Sequence, residues 1–463
     1  MTFDDEARRV AGATRAQTGS LPIPEVDELR PMPRSRVRPA LIATACAVVV
    51  ALIAGAFALT RSDHSKPVKT IEHPGTWEKV PFGATGFETG SFVGAIVQHG
   101  DELVAVGGVA DQVVSVHGAA AAWVSPNGRT WQRVPVPSGV SALESVVATP
   151  RGLYAIASAV PSSTTEVVVH SDDGRAWEIV SRAAPASITG LTAGGPGLVA
   201  VGYVSNGGGL ARSAIWASAD GRTWTRAPGD TTVFPFGTVS GIAARGNELV
   251  AVGASDDATR STSLVWTSED GLHWQLQLDP LHGALPESVA ASADGFLIGG
   301  IGYSPTPLPT TTTTTTTTPP PDATAPRGTR CGSVTTKEFS SRTAYVATWP
   351  SPDGRTWKPG ALPSSPLEGT RPLFEARGWW IAGGTTGVSA TGWGAGTWLS
   401  PDGVTWVPGF SEPQPPPGPC GPVSLSVGAA APTTTGAVVV LEPFGSESLI
   451  GTGPDIWLWT APK

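Results

Sequence analysis

The sequence has little charge: Asp, Glu, Lys and Arg together make up 15% of its 463 residues. A helical bundle of this length would need far more Glu, Lys and Leu, so an all-α architecture is excluded at the outset. Clustered cations are missing as well. The net charge is −8, and no basic block occurs outside the N-terminal region. A nucleic-acid partner is therefore not expected, because phosphate binding needs clustered Lys and Arg. The seven His and three Cys are scattered, without a His-x-x-x-His or Cys-x-x-Cys spacing, which leaves no zinc site. There is no Gly-x-Ser-x-Gly elbow and no phosphate loop in a strand–helix context, and Gly207-Gly-Gly-Leu reads as a flexible loop. No metal and no cofactor is expected.

What is abundant is turn chemistry, with 57 Gly and 44 Pro, and that composition suits a turn-rich β protein. One long apolar run stands apart. Ala40–Thr60 carries no charge over 21 residues, enough to cross a hydrocarbon core as a helix. Arg30, Arg34, Arg36 and Arg38 precede it, and Arg61, Lys66 and Lys69 follow it. The excess on the N-terminal side places residues 1–39 in the cytoplasm as a disordered tail. A charged leader of that length is too long for a cleaved signal peptide, so an uncleaved single-pass anchor is the expectation. Cys46, in the middle of the run, reads as a small apolar membrane residue. Residues 61–74 form a linker, and 75–463 lie outside the cytoplasm.

The extracytoplasmic part repeats itself. Ser125-Pro-Asn-Gly-Arg-Thr-Trp131 is followed by stretches built on Ser171, Asp173, Gly174 and Trp177; on Ser218, Asp220, Gly221 and Trp224; and on Ser268, Asp270, Gly271 and Trp274. Two more copies carry Ser351, Asp353, Gly354 and Trp357, and Ser400, Asp402, Gly403 and Trp406. The closing Trp residues are spaced by 46, 47, 50, 83 and 49 positions, and a period of about 48 residues accommodates four short strands. Runs such as Glu102-Leu-Val-Ala-Val-Gly, Gly197-Leu-Val-Ala-Val-Gly and Glu248-Leu-Val-Ala-Val-Gly recur inside each unit as second strands. After the anchor the chain opens with a lone fourth strand, Gly75-Thr-Trp-Glu-Lys-Val, and it ends on a third strand lacking a fourth, Asp455-Ile-Trp-Leu-Trp-Thr. Pairing the two closes the ring and leaves no open edge. The expected fold is an all-β, seven-bladed β-propeller over 75–463 with a composite closing blade, preceded by one transmembrane helix.

The repeat resembles the Asp-box, or bacterial neuraminidase repeat, of sialidases and related propellers, written Ser-x-Asp-x-Gly-x-Thr-Trp. Here Gly follows Asp directly, so each copy is one residue shorter. The repeated turn is expected to be structural: Gly takes positive φ, the Ser and Asp oxygens accept backbone N–H groups, and Trp plugs the space between blades. One carboxylate per turn is too few for a calcium loop.

Function is then expected on the opposite face, at the loops between second and third strands and between blades. The candidates there are Phe234, Phe236, Asp256, Asp257, Arg260, Asp279, His282, Glu287, Glu368 and Arg371. The 303–343 insertion, with an unbroken Thr run from Thr310 to Thr318, is a Pro/Thr-rich arm on that face. Cys331 in the insertion and Cys420 beside the Pro413–Pro422 stretch are expected to form a disulfide in an oxidising compartment. Resemblance to sialidases would imply an arginine triad, a Tyr nucleophile paired with Glu, and an Asp acid. The innermost strands offer no Tyr, the stretch Glu88–Gln98 has no Arg, and Arg371 alone sits at the mouth of one of them. The reading is a membrane-anchored, non-enzymatic recognition or scaffold module for a glycan or an extracytoplasmic protein. A glycoside hydrolase of sialidase type with a divergent catalytic set is the alternative.

Overall fold

The computed structural model describes residues 74–462, except 111–118, 160–165, 183–186, 206–210, 256–261, 308–341, 363–369, 390–391, 416–422 and 445–452. The expected membrane span, the tail, Cys331, Cys420, Asp256, Asp257, Arg260 and Glu368 all lie outside the described residues.

The described chain is a seven-bladed β-propeller. Six blades are continuous antiparallel meanders of four strands: β2–β5, β6–β9, β10–β13, β14–β17, β18–β21 and β22–β25. They span Ser91–Val134, Val140–Ser181, Ile188–Arg226, Gly237–Leu278, Leu285–Ala361 and Leu373–Glu412. The seventh is composite, in the order β1–β28–β27–β26, with β1 at Thr76–Val80 beside β28 at Asp455–Thr460. Thr76 faces Thr460 and Val80 faces Ile456 in that ladder, so the chain ends clasp each other as expected. A single helical turn, α1 (Phe82–Thr85), follows β1. The innermost strands β2 (Ser91–His99), β6 (Val140–Thr149), β10 (Ile188–Gly194), β14 (Gly237–Arg245), β18 (Leu285–Ser292), β22 (Leu373–Ala376) and β26 (Ser424–Pro432) neighbour one another in that order, and β26 returns to β2.

Burial follows from this arrangement. The second strand of each blade is covered on both faces by the adjoining blades, so it reads as an unbroken apolar run. In β3 (Glu102–Val109), Val104, Ala105 and Val106 are all inaccessible, and β27 (Gly436–Phe444) buries Val438, Val439 and Val440 equally. Long aromatics fill the wider outer wedges, with Trp123, Trp266 and Trp459 fully buried.

The repeated turn is built from its own side chains. Gly128, Gly174, Gly221, Gly271, Gly354 and Gly403 take φ between 68° and 79°. The Ser hydroxyl accepts the Gly N–H, at 2.8 Å for Ser125 and Ser400 and 2.9 Å for Ser171 and Ser218. The Asp carboxylate accepts the next N–H groups, as in Asp220 with Arg222 and Thr223 at 2.9 and 3.0 Å. Those N–H groups hold Asp220 and Asp353 below the ordinary carboxylate range. The Trp indole then donates back to the Gly carbonyl, at 3.0 Å for Trp177 and 2.9 Å for Trp274. This bond delays the fourth strand. It starts after the Trp, as in β5 (Gln132–Val134). The fifth copy is looser: the Trp357 indole N–H has no partner, and β21 is reduced to Gly360–Ala361. Both strands flanking the insertion also extend into it, with β19 reaching Pro307 and β20 starting at Arg342.

Candidate functional site

Six of the seven innermost strands carry the same irregularity. The ladder to the second strand slips by one residue at Gly94, Glu144, Thr189, Ser240, Glu287 and Gly428. A bulge leaves its extra residue unpaired and turns it out of the sheet. The residue before each is shielded (Val93, Leu143, Ile188, Val239, Pro286 and Val427 are buried), whereas Gly94, Glu144 and Thr189 are exposed and the other three half-buried. All six lie between the start and the midpoint of their strands, toward the end opposite the repeated turns. Together they form a collar at the mouth of the central channel.

The bulge has a signature on the facing strand. Val93, Ile188, Val239 and Pro286 stand opposite Gly107, Gly202, Gly253 and Gly300. A Cβ at any of these glycines would overlap a carbonyl oxygen of the inner strand, that of Phe92, Ser187, Thr238 or Leu285. The terminal Gly of each Leu-Val-Ala-Val-Gly run is therefore the mark of a collar residue across from it, a signal that sequence reasoning passed over.

Side chains stitch the collar from blade to blade. The Thr189 hydroxyl donates to the Val239 carbonyl, Ser240 to Pro286 at 3.0 Å, and Ser288 to Thr370 at 2.8 Å. Three glutamates accept backbone N–H groups across blade seams. Glu166 takes Ile188 at 2.9 Å, Glu287 takes Thr370 at 3.0 Å, and Glu442 takes Val93. Gly428 makes room for the last, because a Cβ there would lie 2.6 Å from the Glu442 Cδ. Burial pushes Glu442 up to about 7. Burial also pushes Glu166 up to about 7, with a further push from Glu144. Glu144 itself accepts the Ser158 hydroxyl at 2.8 Å, and Ser158 faces Glu166 across the β7–β8 ladder. The second Glu166 oxygen has no partner.

Arg371 reaches into this collar. Its Nη2 donates to the Glu287 carbonyl at 2.6 Å and to the Ser240 carbonyl at 3.3 Å, so the guanidinium of Arg371, from the connection into blade six, lies over blades five and four.

The structure thus brings Glu287 and Arg371 together and disperses the other described candidates. Phe234 corrects the expectation of a ligand contact. It is 1% exposed and stacks on Trp266, whose indole donates to the Val233 carbonyl, so it belongs to the core. Phe236 is 41% exposed and pairs with Arg212 in an isolated bridge. Asp279 builds its own loop, accepting the Gly283 N–H at 2.6 Å and the Ser263 hydroxyl at 3.1 Å, and both Asp279 and His282 have positive φ. Sequence reasoning missed Glu144, Glu166 and Glu442. No group of three or more His, Cys, Asp or Glu side chains that could hold a metal occurs among the described residues.

A family model described as the DUF6242 beta propeller domain matches residues 76–300. No curated protein matches the chain. Among solved structures it is similar to YCF48 bound to D1 peptide, with a TM-score of 0.46, 13% identity and coverage of 84% of this chain and 96% of that one. It is similar also to the β-propeller domain of the Trilobed protease from Pyrococcus furiosus, at 0.43, 9%, 80% and 94%. The GH93 α-L-arabinofuranosidase of Fusarium graminearum, in complex with arabinobiose, matches at 0.40, 13%, 82% and 97%.

Proposed function

We propose that this chain is a membrane-anchored, extracytoplasmic recognition propeller that binds a glycan or protein ligand at the channel mouth opposite its Asp-box-like turns, without catalysis. The observation that carries this reading is how the collar spends its polar groups. Thr189, Ser240, Ser288, Glu166, Glu287 and Glu442 each hold backbone of a neighbouring blade. A nucleophile or general acid has to reach a reacting atom; these groups are committed to the scaffold and give a rigid rim. Tyrosine is absent from the collar, too. Tyr154 is buried beside Gly221 of a repeated turn, and Tyr345 is exposed on β20. The uncharged run 40–60, flanked by arginines, supports the anchor.

The Glu144–Glu166 pair favours a second reading, a glycoside hydrolase of sialidase type with a divergent set. Two carboxyls, one pushed up to about 7, are the raw material of acid–base catalysis. One experiment separates the two. The full chain in mild detergent is screened on a glycan array beside a fluorogenic sialoside assay. Binding without turnover is the expected result. Turnover abolished by Glu166→Gln would replace the proposal with the hydrolase.

A further inference from the structure

We infer that the channel mouth is a bipolar receptor for a zwitterionic ligand, whose carboxylate docks on Arg371 and whose cationic group docks on Glu144. This rests on the reading above that the mouth is the binding face, and adds the chemistry of what enters it.

The first pole is a cation fixed in place but not neutralised. Arg129, Arg133, Arg175, Arg222 and Arg245 each have a carboxylate partner, whereas Arg371, like Arg151 and Arg212, is held by backbone carbonyls. Arg371 is exposed, and among the described residues its recorded partners are only the carbonyls of Glu287 and Ser240, both reached through Nη2. Two neutral acceptors on one nitrogen immobilise the guanidinium while leaving its charge and its other edge for a ligand. Bidentate carboxylate binding uses that planar geometry. The nearby Glu287 carboxyl is turned to the Thr370 N–H.

The second pole follows from ring geometry. In a seven-membered ring, the position facing blade two is the seam between blades five and six. Arg371 enters blade six, but its guanidinium is held back over the blade-five and blade-four carbonyls of Glu287 and Ser240; Glu144 is the collar residue of blade two. The guanidinium therefore lies across the ring from Glu144, on the blade-four side of the diametric position. Glu144 is exposed, takes the Ser158 hydroxyl, and has no cation within ion-pair distance among the described residues. Glu166 stands behind it, across Ser158. Between the poles the collar is small or uncharged: Gly94 in blade one, Thr189 in blade three, Ser240 in blade four and Gly428 in blade seven. Opposite charges held apart by a rigid rim cannot collapse onto each other. A ligand that spans them meets both without ordering the protein first.

The probes are linear glycine peptides from diglycine to pentaglycine, which lengthen the charge separation by up to about 3.6 Å per residue. Each is compared with its N-acetylated and C-amidated forms on the full chain by calorimetry and thermal shift. One length should bind, and blocking either end should weaken it by about tenfold or more. Glu144→Gln should weaken the free peptide but not its N-acetylated form, and Glu144→Lys should shift preference to dicarboxylates such as glutarate. Equal binding of free and N-acetylated peptides, no binding by any member at tens of millimolar, or unchanged selectivity in Glu144→Lys would each overturn the inference. A glycan or protein hit with silence in the peptide series would sink this inference alone, and leave the recognition reading standing.

Discussion

Replacing Glu442 by Gln should make the propeller more stable at alkaline pH and leave it nearly unchanged at pH 4. The carboxyl of Glu442 sits at the seam where blade seven meets blade one and accepts the Val93 N–H. Burial raises its pKa from an ordinary 4.5 to about 7, against the opposing pull of that N–H. In the unfolded chain it titrates near 4.5. Between those values the folded state therefore binds more protons than the unfolded one, so stability falls as pH rises, and the loss is complete above 7. The rise corresponds to on the order of 3 kcal/mol, at 1.36 kcal/mol for each tenfold step. Residual solvent contact of the half-buried residue reduces this to about 2 kcal/mol. Gln resembles the protonated acid: it keeps an acceptor for Val93 and adds no charge. For a propeller of this length, 2 kcal/mol amounts to about 2–3 °C. Thermal unfolding followed by near-ultraviolet circular dichroism at pH 4, 5, 6, 7 and 8 reads the effect as the difference in Tm between variant and parent. That difference should grow from near zero at pH 4 to about 2–3 °C at pH 8. Glu166 tilts both proteins alike, so it cancels. A difference that stays flat, or turns negative at pH 8, would refute the reasoning.

Acid should act on the repeated turns with the opposite sign. Asp353 is depressed, so its contribution is present above an ordinary carboxylate pKa near 3.8 and disappears as pH falls further, and Asp353→Asn should flatten the acid limb of the same unfolding profile. Ser171→Ala leaves the Gly174 N–H without its acceptor and should lower stability by about 1 kcal/mol in denaturant titration. Gly253→Ala drives a Cβ into the Thr238 carbonyl and should cost about 3 kcal/mol or more, with Ala254→Ser as a neutral control one residue away. Removing residues 1–80 takes away β1 and bares the β28 edge, and light scattering should then show concentration-dependent association absent from a protein lacking only residues 1–73.

The ring was legible because it is written in local chemistry repeated at a fixed period. Ser, Asp, Gly and Trp make their bonds within six positions of one another, and each copy can be recognised without its neighbours. The closing pair was legible for a different reason: two orphan strands at the chain ends had each to find an edge. The collar was not. Whether Glu442 is a solvated surface acid or a seam acceptor depends on Val93, 349 positions away. Glu166 likewise depends on Ile188 in the next blade. Phe234 was misplaced because a Phe-Pro-Phe connection looks the same whether its first ring faces solvent or folds under Trp266. Only the recurring Gly of the second strands pointed to the bulges in advance, and its meaning lies in a steric overlap that one strand alone cannot show.

The clasp between the first and last strands also dictates when folding can finish. Trp459 donates its indole N–H to the Pro74 carbonyl across 385 positions of sequence. Every other blade is a local meander that can form soon after it leaves the ribosome. Joining ends so far apart carries a loop-closure entropy of roughly 5 kcal/mol beyond a constant. Preassembled blades shorten the effective loop and lower that penalty. β1 is synthesised first yet acquires its partner last. During elongation it has no sheet to join until β28 emerges, so the final few residues convert an open arc into a closed ring in one cooperative step.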